Sequence, residues 1–591
     1  MKRIICLLFV LLILAVVPAH SAVLVLSSNG SFVTKPGLTL TSAATSSDCI
    51  GKKVVITSPQ SLTADITWPA DRELSFESGG VITVTSGKTL TYNSSTKSWP
   101  LRQVISGAGT TPLLLSASHG DKVYTEWLGA KADAVGGSAG TSTGTDCTLA
   151  FTQTINAIKQ IVNPITLAIR SPMSPIQLLS GNYLINGSVS ASSVQFLTIQ
   201  GSGAESTRII HSPTSANSDC FVFDTPYSDG YNTGNTIKDL TIVALSANSR
   251  YLLAMTGPNE LLLENLQLLG GYDTAHRYAL RGVDINTGMR CTFRNVRCIL
   301  FTQYGIAYIS GATSVSTTQS FYSCYFGQNG KSGVFVDKAI STAFYSCVFE
   351  GNEEYGIDMG FSEGASIILI GGHFEDTRVG AIRAGNAAFT DTAHVSNLKT
   401  IGVRFLGNAA NGGSITDPHL YTPAAFMELR NTVYTGIADE ATEALYAMRY
   451  FSASALTKKI TVFGSPTGYY TDDYTPLSDN EFPVVGFRNQ LMTGFEARTA
   501  TGASTNISGS RATLLTLASN TNIEFVGSGL IPGESLKLMM VQSGDGTYTV
   551  TFNSAYKTTY SNSGNSGGKK CVINFVWDGN YWLQESIQQW F

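Results

Sequence analysis

The sequence predicts an all-β protein built around a β-solenoid, and two observations carry this prediction. Charged residues form 14% of the 591 residues, below the roughly 25% of ordinary soluble domains, and 58 residues are glycine. Short β segments that end in Gly or Asn recur between about residues 180 and 475. A stack of β coils accounts for both, because its turns need Gly and Asn and its surface carries rows of uncharged polar residues.

Composition and charge exclude several other classes of protein. The 25 tyrosines, 28 phenylalanines and 6 tryptophans are too many for a disordered chain. A helical bundle would be rich in Glu, Lys and Leu, which does not fit a chain of such low charge. The net charge of -4 lacks the basic face that neutralises phosphates, so no nucleic-acid partner is expected.

The first residues resemble an export signal. Lys2 and Arg3 precede an apolar run over residues 4–17, and small residues follow over 18–22. We expect a signal peptide over residues 1–21 and a mature protein that is secreted, either extracellular or periplasmic. A membrane anchor is the alternative, but the run is shorter than the roughly 20 residues of a spanning helix. After cleavage we expect no membrane partner.

The repeat is clearest over residues 321–374. The segment FYSCYF at 321–326 returns as FYSCVF at 344–349, and a third copy, LIGGHF, stands at 369–374. A second strand type lies between the copies, at 333–336 and 355–359. A period of 20 to 30 residues made of β segments and tight turns is typical of a solenoid whose successive coils, called rungs here, stack with like residues on like.

Two further elements follow from this pattern. Cys324 and Cys347 hold the same place in successive rungs, so they predict a buried column of thiols, with a disulfide as the alternative. Asp146 followed by Phe151, Ile155 and further apolar residues at helical spacing predicts a capping helix near 146–162. We expect this helix to cover the first rung.

Residues 77–203 resemble a known family. The matching segments are GGVITV at 79–84, VYTEWLGAKAD at 123–133, TDCTLAF at 145–151 and GNYL at 181–184. They are similar to the pectate-lyase superfamily, which includes rhamnogalacturonase-like and epimerase-like domains and many phage tailspikes. The resemblance implies a right-handed parallel β-helix and a polysaccharide partner. The family's Gly-Asp-Gly and Asp-Asp-Thr are replaced here by Ala132-Asp133-Ala134 and Asp146-Cys147-Thr148.

The catalytic motifs of that family do not transfer. Gly372-His373-Phe374 lacks the second glycine of the polygalacturonase Gly-His-Gly motif, and Asp472-Asp473 comes near the end of the repeats. The clustered aspartates of calcium-dependent lyases were not found either. We therefore expect no metal site and no cofactor, with Ca²⁺ needed only if the protein is a lyase.

Two acidic residues are the strongest catalytic candidates. Glu350 and Glu375 follow equivalent phenylalanines in successive copies, with Glu353 and Asp376 close by. Rungs in register would place the first two carboxyl groups roughly 5 Å apart, as in retaining glycosidases, while a diagonal pair would approach the inverting separation. We predict Glu350, Glu375 and Asp376 as catalytic and Glu353 as substrate-binding. The alternative is that these are solvated carboxylates at turns.

A loop supplies a second set of candidates. Residues 270–278 contain Tyr272, His276 and Arg277, and Arg281 and Asp284 follow. Tyrosines stack on sugar faces, while Arg and Asp hydrogen-bond hydroxyl groups. We predict substrate-binding roles for Tyr272, His276, Arg277 and Arg281, with ordinary loop packing as the alternative.

The domain prediction has three parts after the signal peptide. An N-terminal β region covers residues 22–118, the β-helix 119–475 and a small C-terminal β-sandwich 476–591. Turn signals at 544–546 and 578–580 predict two hairpins in the last part. In tailspike-like proteins such modules trimerise or bind glycan, so the resemblance implies either a homotrimer or glycan binding.

The function predicted from these observations is a secreted polysaccharide-active protein, either a glycoside hydrolase or a polysaccharide lyase. The alternative is a non-catalytic glycan-binding or adhesion protein.

Overall fold

The computed structural model describes the chain in segments between residues 24 and 588, which leaves the predicted signal peptide outside the described residues. No described helix is long and apolar enough to cross a membrane. The described segments are 24–28, 31–35, 38–97, 99–115, 122–136, 142–158, 174–192, 194–224, 232–309, 316–337, 341–359, 366–384, 396–406, 420–422, 425–430, 433–435, 448–450, 460–463, 496–500, 504–507, 512–525, 535–542, 547–562, 569–578 and 580–588.

The protein is a right-handed parallel β-helix of about 13 turns, as predicted. Its larger sheet, here called the long sheet, has 19 strands among the described residues. They are Val123–Tyr124, Ile176–Gln177, Gly181–Ile185, Thr198–Gln200, Thr207–His211, Thr236–Ala244, Leu262–Leu269, Thr292–Ile299, Gln319–Tyr322, Tyr325–Gly327, Thr342–Tyr345, Val348–Glu350, Ser366–Ile370, His373–Glu375, Ser396–Ile401, Arg404–Leu406, Ala425–Arg430, Val433–Thr435 and Ile460–Phe463.

A second sheet of 10 strands forms another wall of the helix. Its strands are Val189–Ser190, Phe221–Asp224, Tyr251–Thr256, Arg281–Asn286, Tyr304–Ile309, Val334–Val336, Tyr355–Met359, Gly380–Ala384, Leu420–Thr422 and Met448–Tyr450. Short pairs complete the coils and loops: Asn232–Thr233 with Pro258–Asn259, Val135–Gly136 with Ser142–Thr143, and Gly271–Asp273 with His276–Arg277.

Identical side chains stack in columns inside the helix. The rings of Phe293, Phe321 and Phe344 lie face to face, with centroids 4.4 and 4.5 Å apart. Phe349 and Phe374 stack in a second column at 4.5 Å. The spacing matches the distance of about 4.8 Å between neighbouring strands, so each added rung buries its rings against the last.

The described cysteines are free and buried. All eight are thiols, and Cys324 and Cys347 occupy successive places in one inward column, as the repeat predicted. Burial raises the pKa of the Cys324 thiol well above its ordinary value. These thiols therefore act as small apolar side chains in the core.

Left-handed turns divide the rungs of the long sheet at a fixed place. Asp239, Asn265 and Asn295 hold this place in successive rungs, with φ of 58°, 51° and 49°. The Nδ2 of Asn265 donates to Asp239 and that of Asn295 donates to Asn265, each at 3.0 Å. Ser323 and Ser346 continue the column with φ of 52° and 53°. Asn, Asp and Ser tolerate this backbone better than larger residues, which explains their frequency.

Buried asparagines fix a second corner of the helix. The Nδ2 of Asn329 donates to the Oδ1 of Asn352 at 2.9 Å, and the Nδ2 of Asn352 donates to the carbonyl of Phe326 at 3.1 Å. Both asparagines are fully buried. Each rung is thus hydrogen-bonded to the next at the corner where the long sheet ends.

The N-terminal region is also built of parallel coils. Its described strands form three small sheets, and the first contains two antiparallel pairings, of Leu24–Ser28 with Ser31–Lys35 and with Lys53–Ile56. Its buried residues belong to the same core cluster as those of the long sheet, which extends from Leu40 to Val403. The strands are Leu24–Ser28, Ser31–Lys35, Lys53–Ile56 and Glu73–Phe76; Gln60–Leu62, Ile82–Val84 and Ile105–Ser106; and Ile66–Trp68, Leu90–Tyr92 and Leu113–Leu115.

The predicted capping helix forms over Thr148–Ile158, two residues later than predicted, and residues 159–162 of the predicted range lie outside the described residues. Asp146 accepts a hydrogen bond from the backbone N–H of Thr148 at 3.0 Å. Gln153 donates to the carbonyl of Gly107 at 2.8 Å, so the helix also packs against the N-terminal coils. The remaining described helices are Leu40–Thr45 and the 3-10 turns Ser47–Cys49 and Thr125–Leu128.

The C-terminal region contains two sheets around one core. The hairpin predicted at 578–580 forms, since Trp577 pairs with Trp582 in antiparallel strands. The hairpin predicted at 544–546 was wrong, because Val550–Phe552 pairs in parallel in the other sheet. The sheets are Glu496–Ala500, Ala512–Leu517, Ser535–Gln542, Lys570–Trp577, Trp582–Gln588 and Tyr556–Lys557; and Ser504–Ile507, Thr521–Phe525 and Val550–Phe552.

Candidate functional site

The two predicted catalytic glutamates lie opposite each other on neighbouring strands. Glu350 pairs with Glu375 in register, and the preceding Phe349 and Phe374 also pair. Both phenylalanines are buried, so alternation along the strand directs the two glutamates to the outer face of the long sheet. The side chain of Glu375 is 42% exposed. Two glutamates on neighbouring strands therefore face the solvent.

Each glutamate has a polar neighbour on the same face. The hydroxyl of Tyr325 donates to the Oε2 of Glu350 at 2.8 Å. The Nε2 of His373 lies 3.6 Å from the Oε2 of Glu375. Burial and the adjacent Glu350 raise the pKa of Tyr325 to about 12, so its hydroxyl remains a donor at neutral pH. The sequence pattern does not single out Tyr325 or His373 as site residues.

Asp376 holds a different position from the two glutamates. It follows Glu375 in a left-handed turn with φ of 50°, the place that Gln328 and Gly351 occupy in the preceding rungs. Asp376 therefore belongs to the corner of the helix, next to the carboxylate pair but outside the strand.

A pair of outward tyrosines ends the strands that precede the left-handed turns at Ser323 and Ser346. Tyr322 and Tyr345 stack with centroids 4.7 Å apart, and Tyr322 is 37% exposed. The guanidinium of Arg294 lies 5.7 Å from the ring centroid of Tyr322, and that of Arg297 lies 5.0 Å from that of Tyr325. The sequence could have indicated this outward pair, since the tyrosine in each FYSC copy follows an inward phenylalanine.

The predicted loop is a short hairpin that borders this face. The rings of Tyr272 and His276 stack at 4.5 Å, and the Nδ1 of His276 lies 2.9 Å from the Oδ1 of Asp273. Tyr272 packs against an apolar cluster that includes Val243. Val243 and Leu269 lie on the strand column that leads to Glu350.

Glu353 ties the hairpin to the corner of the helix. Its Oε1 lies 3.3 Å from the Nη2 of Arg277, and its Oε2 lies 3.3 Å from the Nη1 of Arg378. The Arg277 side chain is only 13% exposed. The structure therefore brings together Glu353 and Arg277, two residues predicted in separate sets. Their ion pair holds both side chains in position.

Arg281 lies on the second sheet, away from the glutamate pair. Its guanidinium stands between the rings of Tyr251 and Tyr304, 5.1 and 5.6 Å from their centroids. It also forms an ion pair with Asp284, whose pKa is raised by burial. The loop pattern did not reveal this separation, because the chain crosses to the second sheet between Arg277 and Arg281.

Two of the clefts in the described part of the protein have defined linings, and neither lining includes the glutamate pair. One, of about 500 Å³, includes Tyr124, Gln177 and Gln200, and the other, of about 430 Å³, includes Asp146 and Gln153. Among the described residues no group of three or more His, Cys, Asp or Glu is arranged to hold a metal ion.

Comparison with solved structures returns β-helix proteins at low similarity. The enzymatically active domain of bacteriophage CBA120 tailspike protein 2 is 13% identical, with a TM-score of 0.41 over 59% of this chain and 48% of that one. An α-1,3-glucanase from Streptomyces thermodiastaticus is 14% identical (TM-score 0.38; 73% of this chain, 67% of that one). The A-module of a mannuronan C-5 epimerase from Azotobacter vinelandii is 13% identical (TM-score 0.35; 58% and 94%).

This chain thus covers about half the length of the tailspike domain. No family model matches the sequence, and no curated protein matches it. Similarities of this size concern the fold and carry no argument about activity or substrate.

Proposed function

We propose that the protein binds a polysaccharide on the outer face of the long sheet and hydrolyses it with Glu350 and Glu375. The observation that carries the proposal is the register of these two glutamates on neighbouring strands. Strands lie about 4.8 Å apart, near the separation of about 5 to 5.5 Å between the carboxyl groups of retaining glycosidases. Tyr322 and Tyr345 precede the left-handed turns of the same rungs, and their stacked rings leave apolar edges that could contact a sugar.

The two carboxyl groups would have different roles. Glu350 accepts the hydrogen bond from Tyr325, which suits an ionised nucleophile. Glu375 would then protonate the leaving oxygen and later activate the water that releases the product. Asp376 is proposed as a further acid at the edge of the site, and Tyr272, His276, Arg277 and Glu353 as contacts for sugar beyond it. Arg281 would require a glycan that reaches the second sheet.

Export is part of the proposal. The segment over residues 1–21 has the pattern of a signal peptide, which would deliver the mature chain to the cell exterior or the periplasm. N-terminal sequencing of the mature protein tests this, and an intact Met1 terminus would argue against cleavage.

Glycan binding without cleavage is the second candidate function, and the open geometry of the site favours it. Enzyme sites are usually concave, whereas the glutamate pair lies outside both described clefts and Glu375 is 42% exposed. A binding protein of this kind would use the tyrosine pair and leave the glutamates as solvated carboxylates.

A panel of dextran, starch, xylan, alginate, polygalacturonate and hyaluronan tests both functions. Binding, reducing ends and ultraviolet absorbance are measured for the wild type, for Glu350→Gln and Glu375→Gln, and for the control Glu585→Gln, which changes an exposed glutamate of the C-terminal strand Trp582–Gln588. A hydrolase produces reducing ends without absorbance, and the first two variants lose roughly 10²-fold or more of the rate while the control does not. A lyase product absorbs in the ultraviolet. Binding with neither product would establish the second function, and wild-type rates in both site variants would overturn the catalytic assignment.

A further inference from the structure

The outer face that carries the tyrosine pair extends well beyond it. Eight strands of the long sheet are in register along one column of outward side chains. At seven strand steps of about 4.8 Å, the column is roughly 34 Å long. Its members are Tyr124, Gln177, Gln200, Lys238, Glu264, Arg294, Tyr322 and Tyr345.

The far end of this column opens into the larger cleft. Its volume of about 500 Å³ lies within the range of small-molecule sites. Its lining is mostly polar, with two glutamine amides, a serine hydroxyl, a lysine, an aspartate and one tyrosine ring. The lining residues are Lys122, Tyr124, Gln177, Leu179, Gln200, Gly201, Ser202, Gly203 and Asp239.

Several of these groups are held in place by hydrogen bonds. The Nε2 of Gln177 donates to the carbonyl of Leu178 at 3.0 Å, and its Oε1 accepts from the Nζ of Lys122 at 2.9 Å. Gln177 is buried, and the ring of Tyr124 packs edge-on against Trp127 at 5.3 Å. A rigid polar lining loses little conformational entropy when a ligand binds.

We propose that this cleft is a distal subsite for the same polysaccharide, which runs along the helix axis from the cleft to Tyr322 and Tyr345. The proposal rests on the proposed function. Sugar hydroxyls suit the amide of Gln200 and the ammonium of Lys122, and a sugar face suits Tyr124. Because roughly 34 Å separates the two ends, only long chains occupy both at once. The protein therefore selects extended polysaccharide over short fragments.

Ser202→Trp tests the subsite by filling it. Ser202 is exposed and lines the cleft, and the matched control Ser190→Trp changes an exposed serine on the second sheet. The probe is the polysaccharide of the panel that the wild type binds. It is cut by mild acid into oligosaccharides, which are fluorescently labelled and separated by length. Dissociation constants are measured for every length, and thermal unfolding shows whether the variants remain folded. Lys122→Ala provides a second variant that adds no bulk.

Wild-type affinity is expected to increase with length and then rise again once a chain spans both ends. Ser202→Trp removes this second increase, about tenfold or more in affinity, and leaves short oligosaccharides unchanged. Ser190→Trp matches the wild type. Equal affinity of wild type, Ser202→Trp and Lys122→Ala at every length overturns the distal subsite while the proposed function stands. A wild type that retains no polysaccharide at all overturns both.

Discussion

Tyr322 and Tyr345 stack in parallel on the outside of the long sheet, with their ring planes within 5° of each other. Inside the sheet, one residue earlier in each strand, Phe321 and Phe344 stack in the same way. The inner pair stabilises the core, whereas the outer pair leaves aromatic surface in contact with water, since Tyr322 is 37% exposed. Exposed apolar surface can mark a binding site.

The first prediction concerns this aromatic face. Tyr322→Ala should weaken binding of the retained polysaccharide by about tenfold, because the loss of a stacking surface costs on the order of 1 kcal/mol or more. Tyr581→Ala is the control, since Tyr581 is 42% exposed and lies in the C-terminal hairpin. Affinity electrophoresis measures both. Equal retardation of Tyr322→Ala and wild type would contradict a role for this face.

The second prediction concerns the hydrogen bond from Tyr325 to Glu350. Tyr325→Phe removes a donor to the carboxylate and keeps the ring, so the cleavage rate should fall about tenfold. The loss should appear in kcat, with KM little changed, because the bond supports the reacting group and not the substrate. A rise in KM alone would assign Tyr325 to substrate binding.

The third prediction is a loss of stability in acid. Burial lowers the pKa of His211 to about 3 from its ordinary value of 6.5. Between these values the unfolded chain takes up a proton and the folded chain does not, so the free energy of unfolding falls as pH falls. His211→Leu should lack this contribution, roughly 2 to 3 kcal/mol between pH 6.5 and 4.5. Urea unfolding at both pH values measures it, with His373→Leu as the exposed control.

The fourth prediction has the opposite sign. Burial raises the pKa of Glu126, which is hydrogen-bonded to the hydroxyl of Tyr183. The folded chain holds this proton to higher pH than the unfolded chain, so its stabilising effect is lost as pH rises through the folded pKa. Glu126→Gln should become more stable than wild type as pH rises from 5 to 8. The exposed Glu77→Gln should show no such trend, and a parallel pH dependence of all three proteins would refute the assignment.

The fifth prediction concerns the buried asparagines. Asn352→Ala removes the acceptor for Asn329 and leaves the carbonyl of Phe326 without that donor. Unsatisfied buried polar groups of this kind should lower the free energy of unfolding by about 2 to 4 kcal/mol. Asn295→Ala, in the column of left-handed turns, should lower the free energy of unfolding by less, because water can replace the hydrogen bond of the exposed Asn295. Chemical denaturation of both variants compares them.

The structure agrees with the sequence-based prediction where segments of the same residues repeat along the chain. The two FYSC copies predicted the stacked phenylalanines and the thiol column, because rungs in contact must align like side chains. The copies FYSCVF and LIGGHF predicted the register of Glu350 with Glu375 in the same way. The N-terminal coils repeat only in hydrophobic pattern, with strands such as Gln60–Leu62 above Ile82–Val84, so their continuity with the helix was not evident.

Parts of the site could not be predicted, for a different reason. The pairing of Arg277 with Glu353 joins residues three rungs apart in space, and no local pattern records it. Arg281 is only four residues from Arg277 in the chain but lies on another sheet. The wall of the helix on which a side chain lies depends on the length of the whole coil. The spacing between nearby residues in the sequence does not specify that length.

The recurring left-handed turn marks the boundary of one complete coil of the β-helix. Asp239 and Asn265 occupy the same turn in adjacent rungs, so excision of residues 239–264 would join two equivalent points and remove one complete coil. The cleft and the exposed tyrosines would then move closer by one strand spacing, about 4.8 Å. The β-helix acts as a molecular ruler, and the shortest glycan that reaches both ends should shorten with it.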